Sequence, residues 1–225
     1  MGAIAENWRR VLKRVADAAD CVGRDPEDVT VVAVSKTVGP VEIREAIAAG
    51  ATDFGENRAQ EFATKAAMFP EVRWHFIGTL QSNKVGMVVG KAHLIHSVDS
   101  VKLLAAIGRR AAQAGIVQPV LLEVNVTGEE SKHGLSPDRL EDALAAAGSL
   151  ENVEVKGLMT MAPFASRATV RPVFRELDRL FAHYAGMRFN SVDLTELSMG
   201  MTNDYTVAVE EGATMVRVGR AIFDR

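Results

Sequence analysis

The sequence predicts a (β/α)8 barrel with one extra helix at its N-terminus, and three observations carry that expectation. Eight short apolar runs recur at a regular pace along the 225 residues. Helical patterns separate them, leaving room for the crossovers that a parallel sheet covered by helices requires. No dinucleotide glycine fingerprint is present, which together with the count of eight favours a closed barrel over an open doubly wound sheet.

The first element, "MGAIAENWRRVLKRVADAA", reads as an amphipathic helix. Arg9, Arg10, Lys13 and Arg14 interrupt it, so it has no apolar core of signal-peptide or membrane length. Strands are expected at 29–35, 52–54, 73–77, 93–98, 119–125, 153–159, 194–198 and 214–218. They are short, often rich in Val, Ile or Leu, and many end in Gly, Asn, Asp or Ser. The second is the shortest and least apolar. Between them lie "GPVEIREAIAAG", "DSVKLLAAIGRRAAQAG", "SPDRLEDALAAAG" and "RPVFRELDRLFAHYAG". Several open on Asp, Ser or Pro and close on Gly, as helix start and stop signals do.

Composition narrows the function classes. A hydrophobic fraction of 48% with 24% charged residues describes a globular chain. The net charge of −3 and scattered basic residues argue against nucleic acid as a main partner. A single cysteine, Cys21, excludes an internal disulfide framework and fits a reducing compartment. Gly2 lacks the Ser or Thr that myristoylation wants at position 6, where Glu6 stands. Asn125-Val126-Thr127 fits a glycosylation sequon that has no meaning without secretion. These points predict a cytoplasmic protein without membrane attachment. No long linker or charge run divides the chain, so residues 1–225 are expected to form one domain.

The active face of a barrel lies at the C-terminal ends of its strands. The first strand ends there in Ser35-Lys36-Thr37, the second in Gly55-Glu56-Asn57-Arg58, and the third holds His75 before Gly78. The seventh ends in Ser198-Met199-Gly200 and the eighth in Arg217-Val218-Gly219. Loops after strands seven and eight of such barrels often cradle phosphate with backbone N–H groups. Alternation places Val32, Val34 and Lys36 on one side of the first strand. If that side faces the axis, Lys36 stands in the barrel mouth above a valine floor, partly desolvated and nucleophilic towards aldehydes. A nucleophilic lysine opposite a phosphate cradle points to a phosphorylated aldehyde, either pyridoxal 5′-phosphate or an aldolase-type substrate. Arg217, at the depth of a bound ring, favours the first by facing a pyridine nitrogen and keeping it unprotonated.

Other chemistries find less support. His93 and His96 have a spacing that would send them to opposite faces of a strand, and no cysteine cluster or H-E-x-x-H helix accompanies them, so no metal site is expected. "GMVVGK" is one spacer short of a P-loop, and no G-x-S-x-G elbow is present.

The blocks "VAVSKT", "FGENRAQE", "WHFIGTLQSNK", "HSVDS", "LEVNVTGEESKHGL", "GLMTM", "LSMGMTNDY" and "VRVGRAIF" resemble, in order and spacing over the whole chain, the pyridoxal-phosphate homeostasis proteins. The resemblance implies a (β/α)8 barrel similar to the N-terminal domain of alanine racemases. It implies pyridoxal 5′-phosphate bound as a Schiff base to Lys36, with Arg217 facing the pyridine nitrogen. Ser198 with backbone groups of Met199, Gly200, Gly219 and Arg220 would hold the phosphate, and Asn57 and His75 would line the ring pocket. Met159 and Met201 would lie near it. Two positions depart from the family pattern: Arg220 stands where relatives often carry Thr or Ser, and Thr79 where many carry histidine.

Racemisation needs two acid/base groups on opposite faces of the cofactor. In alanine racemases the resemblance assigns the second to a tyrosine of a further domain and a partner subunit. This chain runs only six residues past Gly219, and its tyrosines are Tyr184, in a helical pattern, and Tyr205, beyond the seventh strand. The expectation is a binding protein that buffers or delivers the cofactor in vitamin B6 and amino-acid homeostasis. Weak racemase-type chemistry stands as the alternative, and an aldolase-like barrel as a third reading. A monomer is expected, with pyridoxal-phosphate-dependent apoenzymes as transient partners. The polar loop "TGEESKHGL" is expected to gate exchange, Lys132 touching the departing cofactor or a partner.

Overall fold

The computed structural model describes residues 2–129 and 133–224. Eight parallel strands close in sequence order: β1 (Thr30–Val34), β2 (Asp53–Glu56), β3 (Arg73–Phe76), β4 (Leu94–Val98), β5 (Gln118–Glu123), β6 (Val153–Met159), β7 (Val192–Met201) and β8 (Met215–Val218). β8 pairs back onto β1, with Val32 opposite Arg217. The helices are α1 (Ala3–Asp20), α2 (Pro40–Ala48), α3 (Ala59–Met68), α4 (Val85–Val88), α5 (Val101–Ala114), α6 (Leu140–Ala147), α7 (Arg167–Ala185), α8 (Tyr205–Glu210) and α9 (Arg220–Phe223). The barrel expectation, extra N-terminal helix included, is borne out. Among the described residues no helix is long and apolar enough to cross a membrane.

Strand alternation sorts the wall into two faces. Val31, Ala33, Phe54, Trp74, Phe76, Ile95, Val120, Val216 and Val218 join the helix faces in one outer core. Leu94, Leu121, Met159 and Met215 pack together separately as an apolar plug inside the barrel. α1 buries Ile4, Trp8, Val11, Val15, Ala18 and Ala19, a stripe of helical period, and lies against α2, α8 and α9.

Several boundaries differ from the sequence expectation, those of β7 and α7 most instructively. β7 extends from Val192 through Met201, so the glycine read as a strand end lies inside the strand. The β7–β8 register shifts between Ser198 and Met201, and Gly200 sits in that irregularity at φ +87°. A Cβ there would lie 2.5 Å from the Cβ of Ala208, which seats α8 against the strand. α7 starts four residues before the expected Arg171, because the Ser166 hydroxyl accepts from the backbone N–H of Thr169. Pro172, read as a start signal, lies within the helix.

A buried clamp fixes the ends of β1 and β2. Lys65 on α3 donates to Glu56 at 2.6 Å and to the Ser35 carbonyl at 2.7 Å. Glu56, fully buried, also accepts from the Asn57 backbone N–H at 2.8 Å. The backbone immediately before Lys36 and that of Asn57 are thereby held by one ion pair.

Candidate functional site

A cavity of about 500 Å³ opens at the C-terminal ends of the strands. Val34 and Lys36 from the end of β1 line it, with Asn57 after β2 and Ile77, Gly78 and Thr79 after β3. From the opposite side come Glu123 at the end of β5, Met201 at the end of β7 with Thr202 and Asn203 beyond it, and Arg217, Gly219 and Arg220. Phe164 and Met161, both exposed on the loop after β6, form its lip and border a smaller neighbouring cavity of about 280 Å³. Within this neighbour, Asn125 and His133 join Glu123.

Of the residues expected at a site, the structure brings Lys36, Asn57, Arg217, Gly219 and Arg220 to one cavity. Lys36 is on the inward side of β1, as alternation requires, but it is exposed rather than partly desolvated, because it lies beyond the last strand residue, Val34. His75 and Ser198 are fully buried beneath the cavity and do not line it. Met199 is fully buried in the outer core, so only its backbone is available to the inside. Gly200 packs on α8. Met201 lines the cavity, whereas Met159 belongs to the plug below it. Lys132 lies outside the described residues.

Arg217 is 4% exposed and sits at the cavity floor. It donates to the Ser198 hydroxyl at 2.5 Å and to the Thr160 carbonyl at 2.9 Å. Burial pulls its pKa down to about 10, against the opposing charges of Glu123 and Asp204, and it remains a cation at neutral pH. Ser198 is also 2.9 Å from His96 Nδ1; His96 Nε2 is 2.9 Å from His75 Nδ1; His75 Nε2 is 2.9 Å from Asp53 Oδ1. Arg73 closes the far end, with two bonds of 2.8 and 2.7 Å to Asp53. Burial would raise the Asp53 carboxyl, but the hydrogen bonds from His75 and Arg73 outweigh it and hold it well below the usual carboxylate range. Burial, with the charge of Arg217 adding to it, holds His96 well below the usual imidazole range. His93, expected to point away from His96, instead packs on the same His75 ring, their centroids 5.5 Å apart. It precedes β4, so strand alternation does not govern it.

Three polar lining groups escaped the sequence reading. Glu123 ends an apolar strand on the inward face, and burial followed by the charge of Asp99 raises its carboxyl pKa. A carboxylate closing such a run was its signal. Thr202 and Asn203 lie in the turn after β7; the Thr202 hydroxyl accepts from the Gly219 N–H at 3.3 Å. The Thr-Asn-Asp cluster marked that turn better than Gly200 did. Among the described residues no cluster of three His, Cys, Asp or Glu fits a metal ion.

The closed parallel barrel is the fold of the alanine racemase N-terminal domain, whose family model matches residues 1–224. Alanine racemase from Corynebacterium glutamicum shares this fold at TM-score 0.71 and 18% identity, over 98% of this chain and 60% of that one. Much nearer is the pyridoxal phosphate homeostasis protein of Aquifex aeolicus, 45% identical over 97% of this chain and 96% of its own. PipY of Synechococcus elongatus, solved with PLP bound, is 36% identical at TM-score 0.81, over 93% of this chain and 99% of that one. The chain belongs to the family of pyridoxal phosphate homeostasis proteins.

Proposed function

We propose that this protein holds pyridoxal 5′-phosphate in the 500 Å³ cavity, attached through Lys36, and buffers or delivers it to apoenzymes that need it. The observation that carries the reading is one cavity lined at once by Lys36, Arg217 and the Thr202–Gly219–Arg220 corner. Its volume suits a small aromatic cofactor. When bound, pyridoxal 5′-phosphate supplies an aldehyde that a lysine amine captures reversibly and a ring that draws electrons from attached groups.

The chain's own residues divide the remaining work. Lys36 presents its amine at the exposed mouth, where it would hold the aldehyde within reach of an apoenzyme. Arg217 places a fixed cation at the floor; a pyridine nitrogen held against it would stay unprotonated, which would make the ring a poor electron sink. The Gly219 N–H, the Thr202 hydroxyl and the Arg220 guanidinium, which line one corner of the cavity, would hold the phosphate, with Ser198 acting from below through Arg217. Arg220 substitutes charge for the hydroxyl that relatives often carry.

The carrier reading also draws on where the tyrosines lie. Tyr205 is 1% exposed beneath Arg14 of α1, and Tyr184 is buried on α7; neither lines the cavity. A second reading, slow amino-acid chemistry, rests on Glu123, a carboxyl of raised pKa facing the same space. We read the protein as cytoplasmic and monomeric, as one domain.

The decisive experiment is the absorption spectrum of the purified protein with added pyridoxal phosphate, followed by borohydride reduction and mass mapping. A yellow protein carrying phosphopyridoxyl on Lys36, lost in Lys36→Ala, is the expected result. A colourless protein under excess cofactor overturns the reading. Chiral analysis of amino acids incubated with the loaded protein and with Glu123→Gln decides between carrier and enzyme.

A further inference from the structure

The hydrogen bonds beneath Arg217 form one continuous line across the barrel interior, from β8 through β7 and β4 to β3 and β2. Its proton order follows from the chemistry of its ends. Arg217 can only donate, so it donates to Ser198 Oγ. Asp53, an ionised carboxylate, accepts from His75 Nε2–H. A neutral His75 then has a bare Nδ1, which accepts from His96 Nε2–H. A neutral His96 in turn has a bare Nδ1, which accepts the Ser198 hydroxyl proton. Every hydrogen in the line points from Arg217 towards Asp53. The reverse order, with His75 as an imidazolium, makes both Arg217 and His96 donate to Ser198. The serine proton then has no acceptor among its contacts, in a fully buried site.

We propose that this line is a polarised relay by which Asp53, at the far end of the line, fixes the orientation of Arg217. Asp53, His75 and His96 are positioning residues: none lines the cavity, and each acts through the next. Because all the dipoles align, each bond strengthens its neighbours, and the negative end of the line counters the cation at its head. The Thr160 carbonyl fixes the second guanidinium nitrogen, so the fork can present only its remaining edge to the cavity. Ser198 is committed on both sides by this order. It therefore serves the site by aiming Arg217 and contributes no hydrogen bond to a phosphate. The effect on bound cofactor rests on the reading of the cavity given above; the proton order does not.

The test uses the full-length protein labelled with ¹⁵N, whose imidazole nitrogens are assigned by long-range heteronuclear NMR before any cofactor is added. His75 and His96 are both expected as neutral Nε2–H tautomers; an Nδ1–H or imidazolium signature at either overturns the relay. Asp53→Asn is expected to move the His75 and His96 signals together and to weaken pyridoxal phosphate binding about tenfold. Movement of neither quantity overturns the proposal. If Asp53→Asn fails to fold, Ser198→Ala cuts the line at the other end without adding bulk. It is expected to give the same loss of affinity with the His75 tautomer unchanged; full affinity counts against the relay. A wild-type protein that shows both tautomers but binds no pyridoxal phosphate sinks the cofactor reading alone.

Discussion

The two faces of the barrel wall are made by the same strands and follow opposite rules. Outside, Phe62 of α3 meets Trp74 and Phe76 edge-to-face and Trp74 meets Phe54 at a tilt, with centroids 5.6 to 6.3 Å apart. Their contribution is area removed from water plus close packing, and it is spread over many atoms. Inside, Asp53, His75, His96, Ser198 and Arg217 contribute through a hydrogen-bond line in which each group depends on the next. The outer face tolerates adjustment in small steps, whereas the inner one stands or fails as a unit. Stability and site chemistry are thus assigned to different sides of one sheet.

The largest expected effect tests the outer side. Phe62→Ala removes a fully buried ring from the aromatic cluster and should cost about 4 kcal/mol in urea unfolding. Cofactor affinity, measured on the folded fraction, should stay at the wild-type value. A variant that loses affinity with little loss of stability would break the division between the faces.

Next in size is the place where the outer side breaks its own rule. Glu56 follows Gly55 on β2 and points outward, fully buried, with Lys65 as its counter-ion. Lys65→Met leaves that carboxylate uncompensated and should cost about 3 kcal/mol. Glu56→Gln combined with Lys65→Met should recover much of the loss, since neither partner is then stranded. If the double variant is no better than the single one, the clamp acts through the Ser35 carbonyl instead.

Two carboxyls inside the barrel sharpen the comparison by titrating in opposite senses. The folded-state pKa of Asp53 is depressed, so its contribution is present above the unfolded value of about 4 and is lost as pH falls below it. Glu123 is raised by burial and by Asp99, so the folded state holds its proton longer than the unfolded chain. Stability therefore falls as pH rises from the ordinary carboxylate range through its raised value. Asp53→Asn should flatten the acid limb of a stability–pH curve, and Glu123→Gln the limb just above it. Identical curves for Glu123→Gln and wild type would place Glu123 in water.

The same contrast explains what was legible in the sequence. Val31, Ala33, Phe54 and Ile95 announce strands because outward residues must meet helices, and that demand is local to each segment. Lys36 and Arg217 were readable because alternation and strand order place them near one rim. The relay was not, since His96, Ser198 and Arg217 meet only through the closure and register of separate strands, which no local window contains. His75 and Ser198 were accordingly placed around a ligand, when the structure buries them beneath the cavity. Tertiary packing likewise overrode the local signals at Gly200 and Pro172.

The smallest effect separates a polar group that belongs to a network from one that does not. The Tyr205 hydroxyl is buried with no hydrogen-bond partner among the described residues, although its ring packs fully and the Arg14 guanidinium lies 5.3 Å from its centroid. Its pKa is raised by burial, with Arg14 opposing. Tyr205→Phe keeps the ring and its contacts while relieving an unpaired buried polar atom. It should leave stability within about 1 kcal/mol of wild type, on the stabilising side. Removing one hydroxyl from the relay, as in Ser198→Ala, instead strands the Arg217 donor and the His96 acceptor together. Should Tyr205→Phe destabilise as much as Ser198→Ala, connectivity would not be what sets the worth of a buried hydroxyl in this barrel.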